Sequence, residues 1–314
     1  MASVTVAYNG ESVLENNLEG IHLQTRRVDE IIVVDNASRD DTVLRLRSKY
    51  PEVTVLSLPE NRGVGGGLEA GLAYAALQKQ YDWVWIFDQD SVPEPCALEQ
   101  LLSGLHHLNG TGESIAVLAP QCVHRRTGMT TYGLAWRGAR LLPTSPNKDQ
   151  PVTFMDTAIT SGCLVRSSAI EAVGLPRADF FMDFVDHEHC LRMRRSGFNI
   201  AIVRDSRIQH ALGEPAKFSF LGRTVYWSDH DPWREYYMTR NRVYTLWQYY
   251  SRPAVKALEL CGLIRHAVEI VLFGKHKAAC LRMMYYGFVD GRTGRLGIRS
   301  FSDLGEDARC GGND

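Results

Sequence analysis

Four short apolar runs recur at near-even spacing between Ser3 and Asp90, and that spacing most limits what the chain can fold into. Ser3–Tyr8, Ile31–Val34, Val53–Leu58 and Asp82–Phe87 are rich in β-branched or aromatic residues. Between them, Ser12–Gln24, Thr42–Tyr50 and Leu68–Lys79 follow helical spacing, the second with Asp40 or Asp41 placed to cap it. Strands alternating with helices predict an α/β fold: a mostly parallel sheet with helices on both faces. Ile31-Ile32-Val33-Val34 is apolar at every position, as a strand buried on both faces must be. Further on, the pattern predicts helices at Pro95–Leu108, Ser167–Val173 and Asp186–Arg195, the last closed by Gly197. It predicts strands at Ile115–Leu118, Ala158–Val165 (broken at Ser161-Gly162) and Asn199–Val203. Residues 121–153 are turn-rich and read as hairpins or a loop. A compositional shift near residue 213 opens an aromatic, arginine-rich stretch, helical in pattern from Asp231 to Tyr286. The expected division is a nucleotide-binding catalytic domain over 1–213, a C-terminal helical region over 214–301, and a disordered tail over 302–314.

Charge is balanced, with 35 basic and 36 acidic residues, which argues against general nucleic-acid binding. Seven cysteines, none in a C-x-x-C pair, do not make a secreted disulfide framework and suit a reducing cytoplasm. The first strand begins almost at once, so no signal peptide is expected, and no stretch approaches the roughly 20 apolar residues of a membrane span.

The chemistry-bearing residues sit where the apolar runs end. The fourth run closes on Asp88-Gln89-Asp90. In an open α/β sheet ligands bind at that edge, and two hard oxygen donors there suit Mg²⁺ or Mn²⁺ holding a phosphate. An acidic turn is the plainer alternative. Asp35 ends the second run, placed either to bond a nucleobase or ribose or to cap the next helix. Asn61-Arg62-Gly63-Val64-Gly65-Gly66-Gly67 reads as a glycine-rich loop feeding a helix, suited to an anion or to close packing. It is neither a P-loop nor a dinucleotide fingerprint. In Phe180–Glu188, Asp183 and Asp186 stand at i, i+3, as one side of a helical turn would have them. A carboxylate among apolar groups makes a general base; capping and salt bridges to Arg192, Arg194 and Arg195 are the alternative. His187, Glu188, His189 and Cys190 lack zinc spacing. Arg240, on the aromatic helix from Trp233 to Arg242, could face a diphosphate or pack as a snorkelling cation.

Taken together, six motifs in order resemble the inverting family 2 glycosyltransferases with the GT-A fold, most of all the bacterial rhamnosyltransferases. They are Val4–Asn9, Ile32–Ser38, Asn61–Gly65, Phe87–Asp90, Thr160–Leu164 and Asp183–Arg192; Tyr236–Asn241 matches the rhamnosyltransferase-like C-terminal region. The resemblance implies that Tyr8, Asn9, Asp35, Asn61, Gly63, Gly65, Asp88 and Gln89 bind the nucleotide. Asp90, Asp88 and His210 would bind Mg²⁺ or Mn²⁺, and Asp186 would be the general base. Asp183, Ser161, Gly162 and Arg240 would lie toward acceptor or diphosphate. The implied donor is dTDP-rhamnose, with UDP-galactofuranose, UDP-glucose and UDP-GlcNAc as rivals. The acceptor would be a cell-surface or lipid-linked glycan. A nucleotidyltransferase would want a basic glycine loop after the first strand, where Asn9-Gly10-Glu11 stands; a non-catalytic sugar-nucleotide binder would not need Asp90 and Asp186. Finally, Ala254–Gly287 mixes apolar and basic residues. It reads either as helices closing over the catalytic domain or as a peripheral contact with the inner face of the membrane.

Overall fold

A computed structural model of the chain describes residues 1–125, 128–131, 133–210, 216–220, 223–227, 229–250 and 252–301. The elements run β1 (Ala2–Ala7), α1 (Leu14–His22), β2 (Glu30–Asp35), α2 (Thr42–Lys49), β3 (Thr54–Ser57), α3 (Gly63–Leu72), β4 (Trp83–Asp88) and β5 (Ser91–Pro93). Then come α4 (Ala97–Leu108), β6 (Ile115–His124), β7 (Thr130–Thr131), β8 (Leu134–Arg137), β9 (Arg140–Pro143), β10 (Val152–Met155), β11 (Cys163–Arg166) and α5 (Ser167–Val173). The remainder is α6 (Val185–Arg195), β12 (Asn199–His210), β13 (Ala216–Phe220), β14 (Arg223–Trp227), α7 (Pro232–Tyr249), α8 (Pro253–Phe273) and α9 (Lys277–Thr293).

The chain forms two compact units. The first comprises Met1–Trp136, Leu141–Ala178 and Val185–Ala211; the second comprises Arg137–Arg140, Asp179–Phe184 and Leu212–Asp314. The boundary expected at residue 213 and the tail expected over 302–314 lie outside the described residues.

The first unit is built on one mixed sheet in the order β10-β12-β6-β11-β4-β1-β2-β3, with β5 added on β12 and β7 on β6. β4, β1, β2 and β3 are parallel, while β11 runs antiparallel to both β4 and β6. Side chains alternate across β4, as strand geometry requires. Trp85 and Phe87 pack with Leu98 and Leu101 of α4 on one face. Ile86 faces the other, with Leu68 of α3 and Val185 of α6.

Two expectations need correction here. The glycine run is not a loop: helix α3 begins at Gly63, and a π-helical turn, Ala73–Gln78, continues it. Its glycines are packing residues. A Cβ on Gly67 would sit 2.4 Å from Val6 of β1, and one on Gly65 would sit 2.6 Å from the Arg177 carbonyl oxygen. The break expected at Ser161-Gly162 is present, but no strand precedes it at Ala158–Thr160. The Ser161-Gly162 pair makes a turn with Gly162 at φ +76°, and strand pairing starts only at Cys163. Residues 121–153 resolve into the end of β6, the short strands β7, β8 and β9, and the start of β10.

In the second unit, α7 packs on α9 around Tyr236, Tyr237 and Met283. No helix among the described residues is long and apolar enough to cross a membrane.

Candidate active site

Parallel pairing brings the carboxyl ends of three neighbouring strands to one edge. Ala7 of β1 is in register with Asp35 of β2, and Val6 with Asp88 of β4. Tyr8 and Asn9 follow β1 at the same edge. Gln89 clamps this edge together: its Oε1 accepts from the Tyr8 N–H (2.8 Å) and its Nε2 donates to the Tyr8 carbonyl (3.2 Å). Ser38 ties Asn9 to Asp35, its hydroxyl accepting from the Asn9 N–H (2.9 Å) and its own N–H donating to Asp35 Oδ1 (3.2 Å). Asn61 Oδ1 accepts from the Gly63 N–H (2.8 Å) and from Asn36 Nδ2 (3.0 Å). Gln89, Asn61 and Gly63 are thus engaged in shaping the edge where Tyr8, Asn9 and Asp35 stand.

The acidic centre is organised by two adjacent residues that sequence reasoning did not assign to this task. The Thr160 N–H donates to Asp186 Oδ2 (3.2 Å), and the neighbouring Ser161 hydroxyl donates to Asp88 Oδ2. One turn therefore holds a carboxylate from α6 and another from the end of β4. That turn is itself fixed to β4: the Trp85 indole donates to the Gly162 carbonyl (2.9 Å), and the Gly162 N–H donates to the Ile86 carbonyl (2.8 Å). A polar Thr160-Ser161-Gly162 triplet interrupting an apolar run was the available signal. Asp186 Oδ1 also accepts from the His187 N–H (2.7 Å).

His210 reaches the same edge because β12 pairs with β5, setting His210 opposite Ser91. The ring Nδ1 lies 2.8 Å from Ser91 Oγ and 3.3 Å from Asp90 Oδ1. Burial works against a charged ring, but the hydrogen bond and negative charge of Asp90, followed by the charge of Asp88, hold the His210 pKa above its ordinary value. Burial pushes the Asp88 carboxyl up; the Ser161 hydroxyl and the His210 ring offset part of this, while Asp90 and Asp186 add to it. Asp88 therefore feels two further carboxylates and one imidazole, and none of the three carboxylates makes a Lys or Arg ion pair among the described residues.

Among the described residues no three His, Cys, Asp or Glu side chains are grouped as a metal cage. Of the three donors expected for a metal, Asp90 and His210 lie together, whereas Asp88 is held by Ser161. A two-donor pair fits Mg²⁺ or Mn²⁺ shared with a substrate diphosphate, since Mg²⁺ commonly takes one or two protein ligands plus phosphates.

Two expected site residues are placed elsewhere. Asp183 does not share a helical turn with Asp186: it precedes α6 with φ +56°, and Arg234 of α7 grips it with two bonds of 3.0 and 3.1 Å. Arg240 is fully buried. Its guanidinium donates to the carbonyls of Gly297, Asp179 and Phe180 and to Asn241 Oδ1, and it stacks 4.8 Å from the Tyr237 ring centre. All its donors serve the fold of the second unit, so it does not present itself to a diphosphate. Gly162 is likewise a packing position, where a Cβ would meet Ile208 at 2.5 Å. Of the other tempting groups, His189 is buried with Nε2 3.1 Å from the Gly174 carbonyl, and burial takes its pKa down to about 3.

Comparison with known proteins converges on one family. The family profile described as Glycosyl transferase family 2 matches residues 3–172. The chain is 27% identical over 268 residues to the galactofuranosyltransferase GlfT1 of Mycolicibacterium smegmatis, covering 82% of this chain and 85% of that protein. It is 24% identical over 299 residues to the dTDP-rhamnosyl transferase RfbF of Shigella flexneri, covering 94% and 96%. Among solved structures, S. aureus TarS 1–349 in complex with UDP aligns with a TM-score of 0.54 at 16% identity, over 81% of this chain and 67% of that one. GalNAc-T7 with UDP, GalNAc and Mn²⁺ aligns with a TM-score of 0.57 at 14% identity, over 78% of this chain. The match spans only about half (47%) of that longer protein. At these identities the solved structures speak for the fold, an α/β glycosyltransferase sheet.

Proposed function

The chain belongs to glycosyl transferase family 2, and from that premise we propose that it is a metal-dependent inverting hexosyltransferase. It would move a sugar from a nucleoside diphosphate donor onto a hydroxyl of a cell-surface or lipid-linked glycan. The observation that carries this reading is the Thr160-Ser161 turn, whose adjacent residues hold Asp186 and Asp88, neither of them paired with a Lys or Arg among the described residues.

In this reading Tyr8, Asn9 and Asp35 receive the nucleobase and ribose at the carboxyl ends of β1 and β2. Asp90 and His210 would hold Mg²⁺ or Mn²⁺, which when bound offsets the charge of the diphosphate as a Lewis acid. Asp186 is the general base. It takes the proton of the acceptor hydroxyl as that oxygen bonds to the anomeric carbon. The bond from that carbon to the diphosphate oxygen breaks, and the nucleoside diphosphate leaves with the electron pair. One displacement inverts the anomeric configuration and needs no enzyme nucleophile. The two backbone N–H groups on Asp186 orient it. Asp88, kept in position by Ser161, lies toward the ribose.

For the donor, dTDP-rhamnose is favoured by the near full-length relationship to the Shigella rhamnosyl transferase. UDP-galactofuranose is the second reading, favoured by the mycobacterial galactofuranosyltransferases. The test is turnover of dTDP-rhamnose, UDP-galactofuranose, UDP-glucose and UDP-GlcNAc with Mg²⁺, Mn²⁺ or EDTA, with product configuration read by NMR. dTDP-rhamnose should turn over fastest, in a metal-dependent way, with inversion. Turnover indifferent to EDTA would remove the metal; a retained configuration would remove the single displacement.

A further inference from the structure

Helix α8 is inverted relative to an ordinary surface helix. Two of its polar groups point inward: Glu259 is buried and paired with Arg242 of α7, and the His266 ring lies 2.8 Å from Glu235 of α7. Apart from Arg265, which is 74% exposed and paired with Glu269, its outward positions are apolar. Leu260, Ile264, Val268, Val271 and Leu272 are 43–57% exposed. Ala254, Ala257 and Cys261 are exposed as well. Spacings of three and four residues place all of these on one stripe along the 21-residue helix, about 30 Å in length at 1.5 Å per residue. A single exposed leucine means little, but a continuous apolar line marks a contact surface.

The charges at the ends of this stripe carry one sign. Arg252 stands before α8, and Lys275 and Lys277 stand after it, all exposed. Among the described residues the one ion pair these three cations make is Lys275 with Asp229, at 4.0 Å. Along the helix, Glu269 is occupied by Arg265 and His266. We propose that α8 lies flat on an anionic lipid surface, with its apolar stripe at the acyl boundary and Arg252, Lys275 and Lys277 at the phosphate headgroups. Amphipathic helices with basic flanks bind membranes in this way, by apolar burial together with attraction to anionic lipid. A second copy of the chain is the competing occupant. Cations at both ends disfavour it: parallel pairing sets Arg252 against Arg252, and antiparallel pairing sets Arg252 against Lys275 and Lys277.

The test uses the full chain, sedimented with vesicles of phosphatidylcholine alone or mixed with phosphatidylglycerol. The mixed vesicles should carry the chain down, less so as salt rises, and the neutral ones should not. Ile264→Gln combined with Val268→Gln should lower the partition about tenfold. Lys275→Gln combined with Lys277→Gln should lower it about fivefold per charge. All four side chains are exposed, so thermal melting should be unchanged in both variants, which separates lost binding from lost folding. Absence of binding to the anionic vesicles, equal binding to both vesicle types, or binding indifferent to both variant pairs would overturn the proposal. A concentration-dependent dimer that Ile264→Gln with Val268→Gln dissociates would also overturn it, giving the stripe to a second copy.

Discussion

Asp183 and Asp186 are three residues apart in the chain, and the fold treats their carboxylates in opposite ways. Asp183 meets the Arg234 guanidinium with both oxygens, and its own carbonyl accepts from Asn241 Nδ2 (2.9 Å). Around it, Arg240 and Asn241 bond the carbonyls of Asp179, Phe180 and Met182. Those bonds hold a segment in which Phe181, Asp183 and Phe184 all take positive φ, a backbone that survives only when over-determined by its surroundings. Asp186 has no Lys or Arg partner among the described residues; two backbone N–H groups aim it. Acid with cation builds structure, whereas acid with neutral donors keeps its basicity available for chemistry.

The largest way to break this contrast is Arg240→Ala. It strands several buried carbonyls, so denaturant unfolding should show a loss of about 3 kcal/mol or more. A near-neutral result would mean the segment holds itself. On the other side of the contrast, Asp90→Ala should weaken nucleotide binding about 10- to 100-fold with Mg²⁺ present and leave it unchanged in EDTA, as read by calorimetry. Equal loss in both conditions would place Asp90 in the fold instead.

Two histidines, His189 and His266, should also answer pH with opposite sign. The His189 pKa is carried down to about 3 by burial, so the unfolded chain binds the extra proton first. Its stabilisation is full above about pH 6.5 and is lost as pH falls toward 3. The hydrogen bond that the His266 ring donates to Glu235 raises its pKa despite burial, so its contribution is full below about pH 6.5 and fades as pH rises through the raised value. Melting curves should show His189→Gln flattening the acid limb and His266→Gln flattening the limb above neutrality. The smallest effect is expected for Asp183→Asn, at most about 1 kcal/mol of stability because Arg234 is 42% exposed, with transfer intact.

Much of the sheet was legible because parallel strands buried on both faces leave uninterrupted apolar runs. Ile31–Val34 and Asp82–Phe87 lie in β2 and β4 nearly as written, and Asp35 and Asp88 fall at their carboxyl ends. The helix expected over Ser167–Val173 has the same bounds in α5. The glycine run misled because flexibility and close packing require the same residue; only Val6 and the Arg177 carbonyl, distant in sequence, decide between them. Asp183 was read with Asp186 for the same reason, since Arg234 lies 51 residues away and sequence spacing cannot choose a partner. The roles of Thr160 and Ser91 were illegible because both act through a single contact made by the fold, with Asp186 and with His210.

The most direct measurement is Asp186→Asn, assayed for donor binding by calorimetry and for sugar transfer in one preparation. General-base catalysis by Asp186 predicts nucleotide-sugar affinity within about twofold of the unsubstituted chain and transfer reduced about 10²- to 10⁴-fold. Transfer at the unsubstituted rate, or binding and transfer lost together, would contradict it.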